Sequence, residues 1–339
     1  AYPKRFYTAS VNEDETILFL YESGDGRGNA LYMKDLRKPN APFVAMATDM
    51  DYTYAPIEVI GDKIYMFTNY NAPKYRLMTA DINKPALKDW TELVPESENV
   101  LSDAGVIGEK LFLTYDKDAA NHAYVYGLDG KEIQEIKLPS LGSVGFSGDK
   151  DDKECFFGFT SFTIPGATYK YDMDANTYEL FRAPKVDFNS DEFITEQVFY
   201  PSKDGTKIPM FLTYKKDLKK DGKNPVYLYG YGGFNITLNP GFSANRLLWL
   251  ENGGIYAQAN LRGGAEYGEA WHLAGTKQQK LNVFNDFIAA AEYMIGEGWT
   301  TPELMTIEGG SNGGLLVGAD RHDFMTGPIA SIAAIEAIS

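Results

Sequence analysis

Residues 309–313 read Gly-Gly-Ser-Asn-Gly, the pattern G-x-S-x-G, between an apolar stretch at Leu304–Ile307 and a helix-compatible one at Leu315–Val317. A serine set this way can serve as a nucleophile. Lifting its hydroxyl above a sheet requires a sharp strand-to-helix turn that strains the serine backbone, and small flanking residues let neighbouring chain pass close by. The helix that follows points its first N–H groups at the spot where an oxyanion would form. The main-chain N–H of Asn312 is then the expected donor. Alone, the pentapeptide also fits a plain glycine-rich turn. Its strand-before, helix-after setting favours a nucleophile elbow at Ser311.

Acyl transfer asks for a second oxyanion donor, a base, and a carboxylate that orients the base. The donor should come from an earlier strand–helix loop. Gly230-Tyr231-Gly232-Gly233-Phe234-Asn235 follows the apolar stretch Asn224–Tyr229 and offers the phenol of Tyr231, for which a packing role is the competing reading. Three histidines are available as bases: His122, His272 and His322. His122 falls in an Ala-Ala-Asn-His turn and should be exposed. His322, flanked by Asp320 and Asp323, stands eleven residues past Ser311. That is about 16 Å along a continuous helix, whereas a base must come within about 3 Å of the hydroxyl. His322 could act only if the helix broke at Gly318.

In α/β-hydrolases the order is serine, then aspartate, then histidine, the last two well downstream. No suitable pair follows Ser311 before the sequence reaches Ser339. We expect both partners to lie outside this sequence, both ends to be cut from a longer parent, and the chain alone to have negligible peptidase activity.

The elements that must position Ser311 are α/β in grammar. Short apolar strands at Asn224–Tyr229, Gly254–Asn260 and Leu304–Ile307 alternate with helices expected at Ala244–Glu251, from an Asn282 cap through Phe284, Phe287, Ile288, Ala291 and Ile295, and at Asn312–Ala319. Gly296 and Gly298 should end the second helix. Such alternation implies a mostly parallel sheet with helices on both faces. Ahead of it, Glu196–Tyr200 and Lys207–Tyr214 flank an Asp-Gly turn and predict a hairpin.

The first half has another grammar. Glu15–Leu36, Asp62–Ile82, Glu109–Gly130 and Lys153–Asp174 each hold an apolar, aromatic-rich strand, a polar turn and a second strand ending near an Asp. Each is followed by further extended stretches such as Val44–Ala47 or Glu132–Leu138. A period in the forties of about four strands signals propeller blades, with an irregular antiparallel sandwich as the alternative. Four blades are few for a closed ring, so a partial propeller is expected. The run Gly24-Asp25-Gly26-Arg27-Gly28 reads as a hairpin turn within the first blade. Residues 183–192, rich in Pro, Asp, Asn and Ser, read as an interdomain crossing. The domains are therefore 1–187, a partial β-propeller, and 188–339, an α/β-hydrolase domain that stops after its elbow.

Composition narrows the partners. The 339 residues are 44% hydrophobic and 23% charged, with 23 Tyr and 20 Phe. A formal charge of −15 argues against nucleic acid or an anionic membrane as partner. The single cysteine, Cys155, permits no internal disulfide and should be a buried, inert thiol. No stretch approaches the roughly 18 apolar residues of a membrane span, and no signal peptide is visible. A cytoplasmic or a periplasmic compartment fits equally. No His/Cys cluster, His-Glu-x-x-His or phosphate-loop motif points to a metal or nucleotide.

Residues 196–317 resemble the catalytic domain of the prolyl oligopeptidase family of serine peptidases. The matching runs are VFYPSKDGTKIPMF, YLYGYGGFN, NLRGGAEYGEAWH and GGSNGGLLV. Residues 1–187 are similar to the later blades of that family's propeller, including FTSFTIPGATYKYD. Asn312 after the serine, with Tyr-Gly-Gly-Phe, favours the prolyl branch over its sister families. The resemblance implies that Ser311 attacks the carbonyl after a proline and that Tyr231 O–H and Asn312 N–H hold the oxyanion. It implies that Phe234 lines the proline pocket, that His272 is structural, and that no cofactor is needed. It also implies oligopeptide substrates admitted past the propeller by size; a monomer is expected. The tail Asp320–Ser339 departs from the family pattern, leaving open the helix after the elbow and the strand after it. Two other readings remain: an oligopeptidase for basic residues, and a propeller-bearing binding protein with an inactive hydrolase domain.

Overall fold

The computed structural model describes residues 4–24, 26–324 and 331–335. Its first half is four antiparallel sheets of four strands each. They are β1 (Phe6–Val11), β2 (Ile17–Ser23), β3 (Asn29–Asp35) and β4 (Val44–Ala47); β5 (Tyr54–Ile60), β6 (Lys63–Thr68), β7 (Arg76–Asp81) and β8 (Thr91–Val94). Then come β9 (Val100–Ile107), β10 (Lys110–Lys117), β11 (Ala120–Gly127) and β12 (Glu132–Ile136); β13 (Ser143–Ser147), β14 (Cys155–Thr160), β15 (Ala167–Asp172) and β16 (Thr177–Arg182). The repeated sequence segments coincide with the middle hairpin of every sheet.

The pleat explains why these sheets stack as blades. Along β6, Ile64 and Met66 enter a core shared with the first sheet, whereas Tyr65 enters a core shared with the third. Along β10, Leu111 and Leu113 join the second sheet's core and Phe112 joins the fourth's. Successive side chains point to opposite faces, so each inner sheet feeds two cores. Fully burying a side chain such as Phe112 contributes about 1.5–3 kcal/mol. The outer faces of the terminal sheets stay open: Phe6 in β1 and Leu180 and Phe181 in β16 are exposed. This is a partial propeller. Cys155 lies in the last core with no exposed surface, and burial pushes its thiol up to about 12.

Two local details bear on the sequence reading. The run between β2 and β3 is a turn as expected, although Asp25 lies outside the described residues. Its glycines are needed because a Cβ at Gly26 or Gly28 would sit 2.2 Å from Met50 O or 1.8 Å from Tyr52 O. His122, expected in a turn, is instead inside β11 and partly exposed, its Nδ1 3.5 Å from Glu135 Oε1. The turn is made by Asp118 and Ala119, at φ +51° and +67°. Two consecutive left-handed residues close a tight hairpin, so β11 already begins at Ala120 and takes in His122.

Residues 183–192 lead into a six-stranded sheet. Its elements are β17 (Phe193–Pro201), β18 (Lys207–Lys215), β19 (Val226–Gly230), α1 (Ala244–Glu251), β20 (Ile255–Ala259), α2 (Glu269–Leu273), α3 (Lys280–Gly296), β21 (Met305–Gly310), α4 (Asn312–Phe324) and β22 (Ser331–Ile335). Strand order is β17-β18-β20-β19-β21-β22. The first two pairings are antiparallel and the remaining ones parallel. Alternation again sorts the faces. Val226, Leu228, Ile255 and Ala257 pack with Val283 and Phe287 of α3 and Leu316 of α4. Phe211 and Tyr256 point the other way, against Leu247 and Leu250 of α1. Helices therefore cover both faces, the arrangement of an α/β-hydrolase.

Asn282 is not a cap. A short 3-10 turn at Lys277–Gln279 runs straight into α3, which begins at Lys280. The Asn282 carboxamide, one turn in, donates to Ala274 O at 2.9 Å. The helix after the elbow does not break at Gly318 but continues to Phe324, and β22 pairs parallel to β21 beyond it.

Candidate active site

Ser311 stands between the last residue of β21 and the first of α4, exposed, with φ +53°. Residues with a Cβ avoid that left-handed region, so the turn holds its serine in the strained conformation expected of an elbow. The glycines around it answer a need for space. A Cβ at Gly309 would meet Gly313 O at 2.3 Å, and one at Gly313 would meet Gly230 O at 2.7 Å. At Gly310, an x position of the motif, a Cβ would meet nothing within 4 Å. Asn312 is the first residue of α4, where a main-chain N–H has no carbonyl one turn back to bind.

The loop after β19 passes directly beside this turn. Gly232, Phe234 and Asn235 take φ +58°, +54° and +56°, and Asn235 N donates to Gly263 O at 3.2 Å. Tyr231 is half-buried rather than a core residue. Its carbonyl accepts from Asn312 Nδ2 at 2.5 Å. Phe234 is 73% exposed, an aromatic side chain presented to solvent on a strained backbone. Behind the loop, Tyr229 accepts from the Gly310 N–H, and burial raises its phenol above the usual value. Thus Ser311, Asn312, Tyr231 and Phe234 belong to two adjoining turns at the carboxyl ends of neighbouring parallel strands, where α/β sheets place their sites.

The histidines are elsewhere. His272 Nδ1 is 2.8 Å from Gly263 O, a bond that ties α2 to the loop after β20. His322 lies on unbroken α4, eleven residues beyond Ser311, about 16 Å along its axis.

Two residues in this region escaped the sequence reading. Lys280, half-buried at the start of α3, donates from Nζ to Gly232 O at 2.8 Å and to Asn312 Oδ1 at 3.2 Å. Glu266 is 2% exposed; its Oε1 accepts from Leu238 N and Asn260 Nδ2, each at 3.2 Å. Burial pushes its carboxyl up to about 7. No sequence signal distinguishes either from a surface charge.

The propeller meets the same loop. Asn239 Nδ2 donates to Asp116 Oδ1 at 2.9 Å, and Pro240 O accepts from Ser143 Oγ at 2.7 Å. Tyr267 donates to Asp118 Oδ1 at 2.7 Å. Phe162 packs against Phe211 and Tyr256 with ring centroids 5.7 and 5.5 Å apart. The guanidinium of Arg246 lies 4.0 Å from the Tyr256 ring centre and 5.2 Å from that of Phe162. Among the described residues no helix is long and apolar enough to cross a membrane, and no group of three or more His, Cys, Asp or Glu could hold a metal ion.

The family model for the prolyl oligopeptidase N-terminal β-propeller domain matches residues 1–184. The chain belongs to the prolyl oligopeptidase family. A second model, for the prolyl oligopeptidase family itself, matches residues 240–323, the elbow included. The prolyl endopeptidase of Elizabethkingia meningoseptica is 46% identical over 94% of this chain, which spans 45% of that relative. Prolyl oligopeptidase A of Galerina marginata is 37% identical over 92% of the chain and 44% of the relative. A solved prolyl endopeptidase superposes with a TM-score of 0.88 at 41% identity, over 94% of this chain and 47% of the other. Prolyl oligopeptidase B of Galerina marginata, bound to a 35-residue substrate for hydrolysis and macrocyclisation, gives 0.88 at 32%, over 94% of this chain and 46% of the other. The chain thus spans about half the length of the relatives it matches. The expected fold, a partial propeller followed by an α/β-hydrolase domain, is the one observed.

Proposed function

We propose that this chain supplies the nucleophile and the oxyanion site of a serine endopeptidase that cleaves oligopeptides after proline. The observation that carries this reading is Ser311 itself: exposed, strained at φ +53°, and seated beside the Tyr231 loop. In the reaction, Ser311 Oγ attacks the carbonyl carbon of the proline residue itself, and its proton passes to a base. The tetrahedral oxyanion is held by Tyr231 O–H and Asn312 N–H. Collapse releases the amine and leaves an acyl-enzyme that water then hydrolyses. Exposed Phe234 forms an apolar wall for the proline ring. The propeller unit, taken as residues 1–187, limits access to the catalytic unit from 188 onward, so that short peptides enter and folded proteins do not. The chemistry needs no metal or organic cofactor.

The reading requires a histidine base and an orienting carboxylate in addition to the residues described. The serine–aspartate–histidine order of this fold places both later in sequence than the elbow. The test compares a chromogenic peptide ending in proline with one ending in arginine. The chain alone should turn over neither. Protein from the complete coding sequence should prefer the proline peptide, and Ser311→Ala should abolish that activity. Preference for arginine would support a basic-residue oligopeptidase, and no turnover by the complete protein would support a binding role.

A further inference from the structure

We propose that Lys280 is a positioning residue of the oxyanion site, holding the Asn312 carboxamide and the Tyr231 loop in one fixed arrangement. The inference rests on the peptidase reading above and extends it to a third element of the fold.

Lys280 is remote in sequence from both turns, yet its ammonium bonds each of them, at Gly232 O and at Asn312 Oδ1. Burial, with no carboxylate partner among the described residues, lowers its pKa. A partly desolvated cation is costly unless its donors are used, and here they are used on the two segments that carry the oxyanion donors.

The ammonium also decides which way the carboxamide faces. It can only donate, so the Asn312 atom turned toward it is the oxygen. Nδ2 is then left aimed at the Tyr231 carbonyl, to which it donates. With an apolar side chain at position 280 that instruction is lost. A flipped carboxamide would set its oxygen against the Tyr231 carbonyl oxygen, acceptor against acceptor, and push the loop away. There is little slack to absorb the change. A Cβ at Gly233 would lie 2.5 Å from Asn312 Nδ2, and one at Gly232 would lie 2.3 Å from Val283 Cγ1. Tyr231 and Asn312 each carry one oxyanion donor, so a shift between them misplaces the pair. An oxyanion donor acts over a window of a few tenths of an ångström, and the loss therefore falls on kcat rather than on substrate binding.

The experiment uses protein from the complete coding sequence and a proline-ending chromogenic peptide. Lys280→Met is expected to lower kcat about 10- to 100-fold, the loss of one or two charge-assisted hydrogen bonds, with KM changed by less than about 3-fold. Lys280→Cys is expected to be as slow and, after alkylation with 2-bromoethylamine, to regain kcat to within about 3-fold of wild type. That reagent rebuilds an ammonium at nearly the length of lysine. Cys155 is buried, and wild-type protein treated in parallel controls for other thiols. Unchanged kcat in Lys280→Met overturns the proposal, as does a loss carried by KM alone. So does failed restoration in an alkylated protein whose thermal midpoint matches wild type. Absence of wild-type turnover overturns the peptidase reading and this proposal with it, whereas failure of the proposal alone leaves wild-type turnover intact.

Discussion

Asn312 Nδ2 donates to the main-chain carbonyl of Tyr231 at 2.5 Å, joining two turns 81 positions apart in sequence. The bond can be removed without touching the Asn312 N–H, which belongs to the main chain. Asn312→Ala is therefore expected to lower kcat about 10-fold in turnover-competent protein. Asn312→Asp should do worse, because a carboxylate only accepts and would face the Tyr231 carbonyl. Steady-state kinetics check the order; an Asp variant as fast as the Ala variant would contradict it.

Tyr231→Phe keeps the ring and removes the donor. Its kcat is expected to fall about 100- to 1,000-fold, with KM nearly unchanged. A fall confined to KM would show the hydroxyl binding substrate in the ground state instead.

The strain at Ser311 can be measured on this chain without any activity. Glycine tolerates φ +53° and alanine does not. Ser311→Gly should therefore be more stable to urea than Ser311→Ala by about 1 kcal/mol. Both variants lack the hydroxyl, so its loss cancels in the comparison. Equal midpoints would remove the case for a strained elbow.

Glu266 gives the domain a pH signature. Burial, with a smaller contribution from Asp116, pushes its carboxyl from 4.5 up to about 7. A carboxyl raised in the folded state costs nothing at a pH below its unfolded value. The cost grows as pH climbs toward the folded value and is complete above it, reaching about 3 kcal/mol. Glu266→Gln should remove that cost. Its stability advantage over wild type should therefore rise between about pH 5 and pH 7.5, read from denaturant midpoints. An advantage that does not vary with pH would show that Glu266 titrates normally.

Much of the architecture could be read from the chain because its signals are local. The middle hairpin of each blade repeats in sequence because its strands lie between neighbouring sheets; in β10, buried on both faces, this gives an unbroken run of buried residues from Leu111 to Asp116. β1 carries no such signal, since every residue in it is exposed. G-x-S-x-G was legible because close approach at Gly309 and Gly313 dictates residue type. What sequence could not show is burial of charge. Lys280 and Glu266 look like ordinary surface residues until the fold brings the loop after β19 against them. The Asn312 carboxamide was likewise missed, because the motif draws attention to its main-chain N–H. Asn282 was misread because a capping residue just ahead of an apolar run looks the same whether the helix starts there or one turn earlier.

The acyl-enzyme is the most direct object to look for. Turnover-competent protein mixed with an ester of a proline-ending peptide, quenched in acid and digested, should yield a peptide containing Ser311 that carries the acyl mass. An acyl group on any other residue, or undiminished turnover by Ser311→Ala, would contradict the assignment of Ser311 as the nucleophile.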